Sequence, residues 1–519
     1  MHEPERYRPR APLLAATTAV LALGLAAPAA AEGDTIIVAR SVDADSLDPH
    51  ATTTTQSRQA FSIIYDRLLG LDEATGLHPN LATDWSVSDD GLVYRFTIRD
   101  GVTCHDGSTF DAEAVKFNIE RALAPETNFP GASVFGDIDN VAVEGSDVVV
   151  TMAKPNGAWL VRVAGAQSLV CPTSVAEDGT FTPIGTGAYK LVEWIRNDRL
   201  VFEANPDYTN HDPLIENPGA PHIPNLVYRV IPEAPARMAA LRTDEVHFAE
   251  PALEEAAALT ADDDFRVYGS DLTGQQVFAA FLWRIPPFDD VRVRQAVGHA
   301  VDRELYAEVA FEGLVEASYC PIAPTLFSAD QEQCKEWGQT FDPDRARELL
   351  AEAGFGPDNP IRAKLSVHRL PGWDLMHQIM QQHLADVGIE VEIETREVAA
   401  FFQHMTGENT RSDGEPVVWT MGQSGSDPGY LHLLWRTPGL FNMGLNEDLD
   451  AILDAQSELF DEAREAKLKE AQQYLLENAY AIPLVSPGWN WLMASKANLD
   501  GFRHAHTAEL RFNDVRFVD

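Results

Sequence analysis

At Gly388 a helical spacing of apolar residues gives way at once to a strand spacing, and this junction narrows the fold more than any other feature of the chain. Upstream, Asp342 before Pro343 supplies a helix N-cap and a first-turn proline. Ala346, Leu349, Leu350 and Ala353 then form one apolar stripe, and Gly354 ends the helix. Leu375 to Val387 reads as a second helix. Past Gly388, Ile389, Val391 and Ile393 alternate with Glu390, Glu392 and Glu394, the period of two of a half-buried strand. A helix running straight into a strand predicts an α/β lobe with a substantial sheet. The same pattern occurs early. Tyr94, Phe96 and Ile98 share one face of a strand and Arg95 and Thr97 the other, before a turn at His105-Asp106-Gly107 and a helix from about Asp111 to Ala122. Two late helices, over about 448–460 and 462–479, pack through Leu449, Ile452 and Leu453 and through Leu468, Leu475 and Leu476, with solvated charged faces.

A chain of 519 residues provides for two to four units, at about 100–200 residues each. Its 39 Lys and Arg stand against 80 Asp and Glu, a formal charge of −41, and only eight of the cations are Lys. That balance argues against nucleic acid as a partner, because phosphate demands a cationic face. The 45% hydrophobic content is that of a globular protein. Arg6, Arg8 and Arg10 precede an apolar stretch from Ala11 to Ala27, which ends in Pro28-Ala29-Ala30-Ala31. This is the form of a secretory signal peptide over residues 1–31, with cleavage expected after Ala31. The stretch is shorter than the ~20 residues of a membrane span, and no Cys follows it to carry a lipid anchor. The mature chain is expected outside the cytoplasm. Loss of three Arg with Glu3 and Glu5 takes its charge from −41 to −42.

Four Cys suit an oxidising compartment. Cys320 and Cys334 enclose the Pro-rich segment Pro321-Ile322-Ala323-Pro324, which makes them natural partners, and Cys104 and Cys171 remain to pair by elimination. Sequence alone allows three connectivities. No zinc-type Cys/His spacing is present. The chain has no G-x-S-x-G elbow, no H-E-x-x-H and no phosphate-binding Gly-rich loop, so no catalytic residue, metal ligand or cofactor is assigned. A secreted hydrolase on an α/β scaffold stays open as the competing class. Of the 15 His, His377 and His383 lie six apart on one helix and so face different ways, and His504 and His506 share a strand face near the C-terminus. Hydrogen-bonded or surface roles fit them better than a metal site.

Several blocks together are more specific. Ser46-Leu47-Asp48-Pro49 is followed by Pro79-Asn80-Leu81-Ala82-Thr83-Asp84-Trp85, Ser88-Asp89-Asp90-Gly91, Ile98-Arg99-Asp100-Gly101-Val102, His105-Asp106-Gly107 and Phe110-Asp111-Ala112-Glu113-Ala114-Val115-Lys116-Phe117. Later come Gly185-Thr186-Gly187-Ala188-Tyr189-Lys190, Asn205-Pro206-Asp207-Tyr208, and Pro287-Phe288-Asp289-Asp290-Val291-Arg292-Val293-Arg294 with Ala300-Val301-Asp302-Arg303. From about residue 35 to the C-terminus this order resembles the family 5 extracellular solute-binding proteins, the peptide- and nickel-binding components of ABC importers. The resemblance implies an α/β, two-lobed periplasmic binding protein (type II, cluster C-like) with an extra subdomain in the first lobe. Transposed to this chain, lobe I covers residues 32–270 with the subdomain at about 70–180, lobe II covers 271–486, and 487–519 return to lobe I. A monomer is expected, passing a peptide or small polar solute to a membrane permease and its ATPase.

The motif blocks are framework, so the ligand is sought in the segments between them. Thr54 and Gln56 follow the Leu47-Asp48-Pro49 turn at the edge of the first lobe. Arg369 and Trp373 sit on a loop between strand and helix, where open α/β sheets bind ligands. Arg369 offers a planar fork to a carboxylate, and Trp373 and Trp419 offer rings for stacking or serve as core. Gln423, Ser424, Asp427 and Tyr430 surround a loop similar to the family's Asp-Pro loop. Peptide-binding members usually carry an Asp four residues before that proline to hold the peptide ammonium, and here the position is Ser424. This departure brings metal chelates, sugars and opine-like solutes into consideration.

Overall fold

The computed structural model describes residues 33–72, 76–166, 168–269, 274–368, 373–397, 400–401, 416–437, 445–486, 492–505 and 509–518, so the expected signal peptide lies outside it. A seven-stranded sheet runs in the order Tyr189–Ile195, Arg199–Ala204, Asn225–Val230, Thr35–Arg40, Phe248–Ala249, Met493–Lys496, Phe265–Tyr268. A six-stranded sheet runs Glu316–Ala317, Ala481–Ser486, Gln275–Phe281, Val417–Ser424, Ile361–His368, Ile389–Arg396. In each, one inner strand is parallel to both neighbours: Thr35–Arg40 in the first, Ile361–His368 in the second. The chain crosses from first sheet to second between Tyr268 and Gln275, and returns between Ser486 and Met493. No described helix is long and apolar enough to cross a membrane.

A four-stranded antiparallel sheet, Ala82–Val87, Val93–Ile98, Asp147–Met152 and Ile138–Glu144, forms a separate layer. Its alternation is that of the sequence: Tyr94, Phe96 and Ile98 are buried while Val93, Arg95 and Thr97 are half-buried. Beside it lies the helix Ala112–Leu123, capped by the Asp111 carboxylate, which accepts from the backbone N–H of Glu113 (3.0 Å) and Ala114 (3.2 Å). Trp159 anchors this layer. Its ring lies 4.6 Å from that of Tyr94 and 5.8 Å from that of Phe96, and its Nε1 donates to the Phe135 carbonyl at 2.8 Å. The disulfide Cys104–Cys171 fastens the same layer, and Cys320–Cys334 closes the second pair, as the spacing suggested.

The framework block at 185–187 has a direct physical reason. A Cβ on Gly185 would stand 2.1 Å from the Ile64 carbonyl oxygen, and one on Gly187 would stand 2.6 Å from it, so only glycine lets the two backbones meet. Thr186 between them donates its hydroxyl to the buried carboxyl of Asp66 at 2.8 Å.

In the second sheet Asp342 caps Pro343–Glu352 as expected. The next helix starts at Trp373, two residues before the apolar spacing marked it, and its strand continues to Arg396. The late helices are Glu447–Glu458 and Asp461–Glu477. Gln275–Phe281 is buried along its whole length, which removes the alternation by which a strand is recognised.

Candidate functional site

Strand order marks two places where connections diverge. Asn225–Val230 connects through the helix Ala234–Arg242 to Phe248–Ala249, passing over Thr35–Arg40. Ile361–His368 connects through Trp373–Val387 to Ile389–Arg396 on one side, and Val417–Ser424 lies on its other side. Where neighbouring connections diverge, the carboxyl ends of parallel strands leave a gap that loops can line.

At the first gap is a cavity of about 430 Å³, lined among others by Ser41, Gln56, Gln59, Arg237, Glu250 and Leu253. Glu250 and Arg237 in this lining are engaged by the protein itself. Ser41 donates its N–H (2.8 Å) and hydroxyl (2.6 Å) to Glu250 Oε2. Arg40 donates to the Gln56 carbonyl at 3.2 Å and to Gln59 Oε1, with its guanidinium 4.9 Å from the centre of the Tyr228 ring. Arg237 donates to the carbonyls of Glu250 (2.8 Å), Ile231 (2.8 Å) and Pro232 (2.7 Å), and burial lowers its pKa. The lining also includes polar Thr55 and Gln56 and apolar Leu253, Leu492 and Met493.

At the second gap Trp373 is fully buried, with its ring 3.4 Å from where a Gly422 Cβ would stand and 4.9 Å, edge-on, from the His368 ring. His368 in turn stacks on Phe401 at 4.8 Å. His377 Nε2 meets the Thr420 hydroxyl at 2.6 Å, and burial lowers its pKa to about 3, so this ring is neutral and structural. Among the described residues no group of three or more His, Cys, Asp or Glu is placed to hold a metal.

The residues singled out in the sequence fall into distinct places. Gln56 lines the first cavity, whereas Thr54 donates to Asp45 at 2.6 Å. Burial would raise the Asp45 pKa, but hydroxyls of Ser57, Thr54 and Thr52 outweigh it and hold the carboxyl below its usual range. Trp373 and Trp419 belong to different cores, on opposite faces of the second sheet. Gln423 donates to the Ser424 carbonyl at 2.8 Å, and Ser424 is exposed. Asp427 is held by Arg464, with nitrogen–oxygen distances of 2.8 and 2.5 Å. Tyr430 accepts from the Ala323 N–H at 3.2 Å. Arg369 lies outside the described residues.

A third opening was not anticipated. Where the four-stranded layer meets the late helices, the Gly157 N–H donates to the Ser457 carbonyl at 3.0 Å. Beside this contact a cavity of about 200 Å³ contains Arg162 and Gln456. A sequence signal existed for one of them: Arg162 is the lone charge within the apolar run Trp159-Leu160-Val161-Arg162-Val163-Ala164.

Comparison with known proteins agrees with this architecture. The family model described as bacterial extracellular solute-binding proteins, family 5 middle, matches residues 76–440. The glutathione-binding protein GsiB of Salmonella paratyphi A is 30% identical over 516 residues, covering 95% of this chain and 97% of that protein. The ABC transporter substrate-binding protein CtaP of Listeria monocytogenes has a similar fold, with a TM-score of 0.81 at 18% identity over 94% of this chain and 100% of that one. So does the periplasmic binding protein DppA of Helicobacter pylori in complex with the peptide STSA, with a TM-score of 0.71 at 24% identity over 93% and 98%. With two crossings between two α/β sheets, a cavity at the strand ends of the first and a family match over most of its length, the chain belongs to the family 5 bacterial extracellular solute-binding proteins.

Proposed function

We propose that this protein captures a peptide-class solute between two lobes and delivers it to an ABC permease and its ATPase for import. Lobe I comprises residues 32–270 and 487–519, and lobe II comprises 271–486. The chain is exported, cleaved after Ala31, acts in the periplasm as a monomer and carries out no chemistry on its cargo. The observation that carries the reading is the end-to-end likeness to GsiB, a protein named for binding glutathione, a peptide. The cavity at the carboxyl end of the parallel strand Thr35–Arg40 supports it. Gln56, Arg369 and Ser424 meet the solute. Thr54, Trp373, Trp419, Gln423, Asp427 and Tyr430 stand behind them and hold the walls, since their polar groups or rings already engage protein. With Ser424 in place of an acidic residue, the peptide ammonium is met by neutral oxygens. A ligand bound only by the folded state raises its melting temperature in proportion to ln(1 + [L]/Kd). Thermal shift with glutathione and with di- to tetrapeptides therefore tests the reading. A concentration-dependent rise for at least one peptide supports it, whereas flat melts with all of them, together with turnover of a chromogenic ester or amide, favour a hydrolase.

A further inference from the structure

The 200 Å³ cavity lies between the four-stranded layer, which supplies Arg162, and the helix Glu447–Glu458, which supplies Gln456. It is smaller than the roughly 300–1,000 Å³ of a pocket enclosing a whole small ligand, so it suits one end of a solute.

Its charge is unusual for so acidic a chain. Asp427, across the seam, already accepts two N–H groups from Arg464 and the N–H of Gly429 at 2.7 Å. The Gly429 backbone approaches Arg162 as well, with a Gly429 Cβ standing 3.6 Å from the Arg162 guanidinium. Arg464 thus holds the Asp427 carboxylate, and the Arg162 guanidinium stands nearby as a second cation. Among the described residues the Arg162 guanidinium has no hydrogen-bond or ion-pair partner of its own. The remaining charges on the wall are matched. Lys154 pairs with Asp137 at 2.9 Å, and His432 faces Asp454 at 3.0 Å, where Arg436 also pairs. Burial and the nearby Arg464 lower the Arg162 pKa against the opposing pull of Asp427, as expected of a surplus cation.

Gln456 supplies the complementary group. It is 1% exposed, and its orientation is fixed by Ser457, whose hydroxyl donates to the Leu453 carbonyl at 3.2 Å and accepts from Gln456 Nε2 at 3.0 Å. That leaves Gln456 Oε1 buried with no donor among the described residues. A buried acceptor without a donor is rare in folded proteins and points to a missing partner.

We infer that this cavity is the subsite for the carboxylate end of the captured peptide: Arg162 takes the carboxylate and Gln456 Oε1 accepts the adjoining amide N–H. The inference rests on the solute-capture reading above. Because the two groups come from opposite sides of the seam, a solute bridging them stabilises the closed arrangement selectively.

Calorimetric titration of the mature chain with glutathione, and with glutathione amidated at its glycine carboxylate, tests it on wild type, Arg162→Gln and Arg162→Lys. Amidation should weaken wild-type binding at least tenfold and Arg162→Gln binding less than twofold, with Arg162→Lys in between. Gln456→Leu should weaken both probes. If amidation leaves wild-type affinity unchanged, or weakens wild type and Arg162→Gln equally, the subsite is overturned while solute capture stands. If wild type binds neither probe, the glutathione-class reading falls and takes the subsite with it.

Discussion

Arg464, near the start of the helix Asp461–Glu477, grips Asp427 with two N–H groups, and both side chains are almost wholly buried. The pair ties the loop after Val417–Ser424 to the helix that meets the four-stranded layer. Removing one partner leaves a buried charge unmatched, a loss of about 3–5 kcal/mol. Arg464→Met should therefore lower the urea midpoint sharply, and adding Asp427→Asn to it should recover part of the loss. A single variant as stable as wild type would show that the pair is solvated.

Gly157 brings the backbones of the two sides of the seam into direct contact. A Cβ there would stand 1.9 Å from the Leu459 carbonyl oxygen, and backbone cannot move aside as a flexible side chain can. Gly157→Ala should hold the lobes apart. Small-angle scattering with saturating solute should then report a larger radius of gyration than for wild type, and affinity should fall tenfold or more. Equal radii and affinities would mean that this contact is not part of closure.

Asp66 is fully enclosed, with Thr186 and Tyr208 donating to it and Asp212 and Arg511 nearby. Burial raises its pKa from 3.8 to about 6 despite those two hydrogen bonds. The folded state thus holds this proton more tightly than the unfolded state. The resulting stabilisation is complete below about pH 3.8 and is lost as pH rises through about 6. Unfolding free energies of wild type minus Asp66→Asn should fall by on the order of 2–3 kcal/mol between pH 4 and pH 7. A pH-independent difference would place an ordinary carboxyl at this position.

The two disulfides close loops of different length, with sequence separations of 67 and 14 residues. Loop-closure entropy then gives roughly 4 kcal/mol for the longer and roughly 3 kcal/mol for the shorter. Replacing Cys104 and Cys171 together by Ser should lower the melting temperature more than replacing Cys320 and Cys334. The reverse order in calorimetry would contradict the entropic account.

Much of the fold was legible because local spacing reports it. Val93–Ile98 alternates, Asp342 and Pro343 open a helix, and Gly388 separates helix from strand. Gln275–Phe281 was not legible, since a strand buried on both faces has no alternation to read. The site divided along the same line. Position after a turn drew attention to Gln56 and position between strand and helix to Trp373, but Trp373 and Trp419 look alike in sequence and only the sheet assigns them to opposite cores. Asp427 carried no mark of its partner Arg464, 37 residues on. Arg162 and Gln456 are brought together only by tertiary packing between two layers, which no spacing encodes.

The central claim is that the chain encloses one peptide-class solute and does not transform it. Native mass spectrometry of the mature protein, titrated with glutathione and with di- to tetrapeptides, tests this most directly. The account predicts a single saturable adduct at the intact mass of at least one peptide. No adduct with any of them, or peptides recovered as fragments, would contradict it.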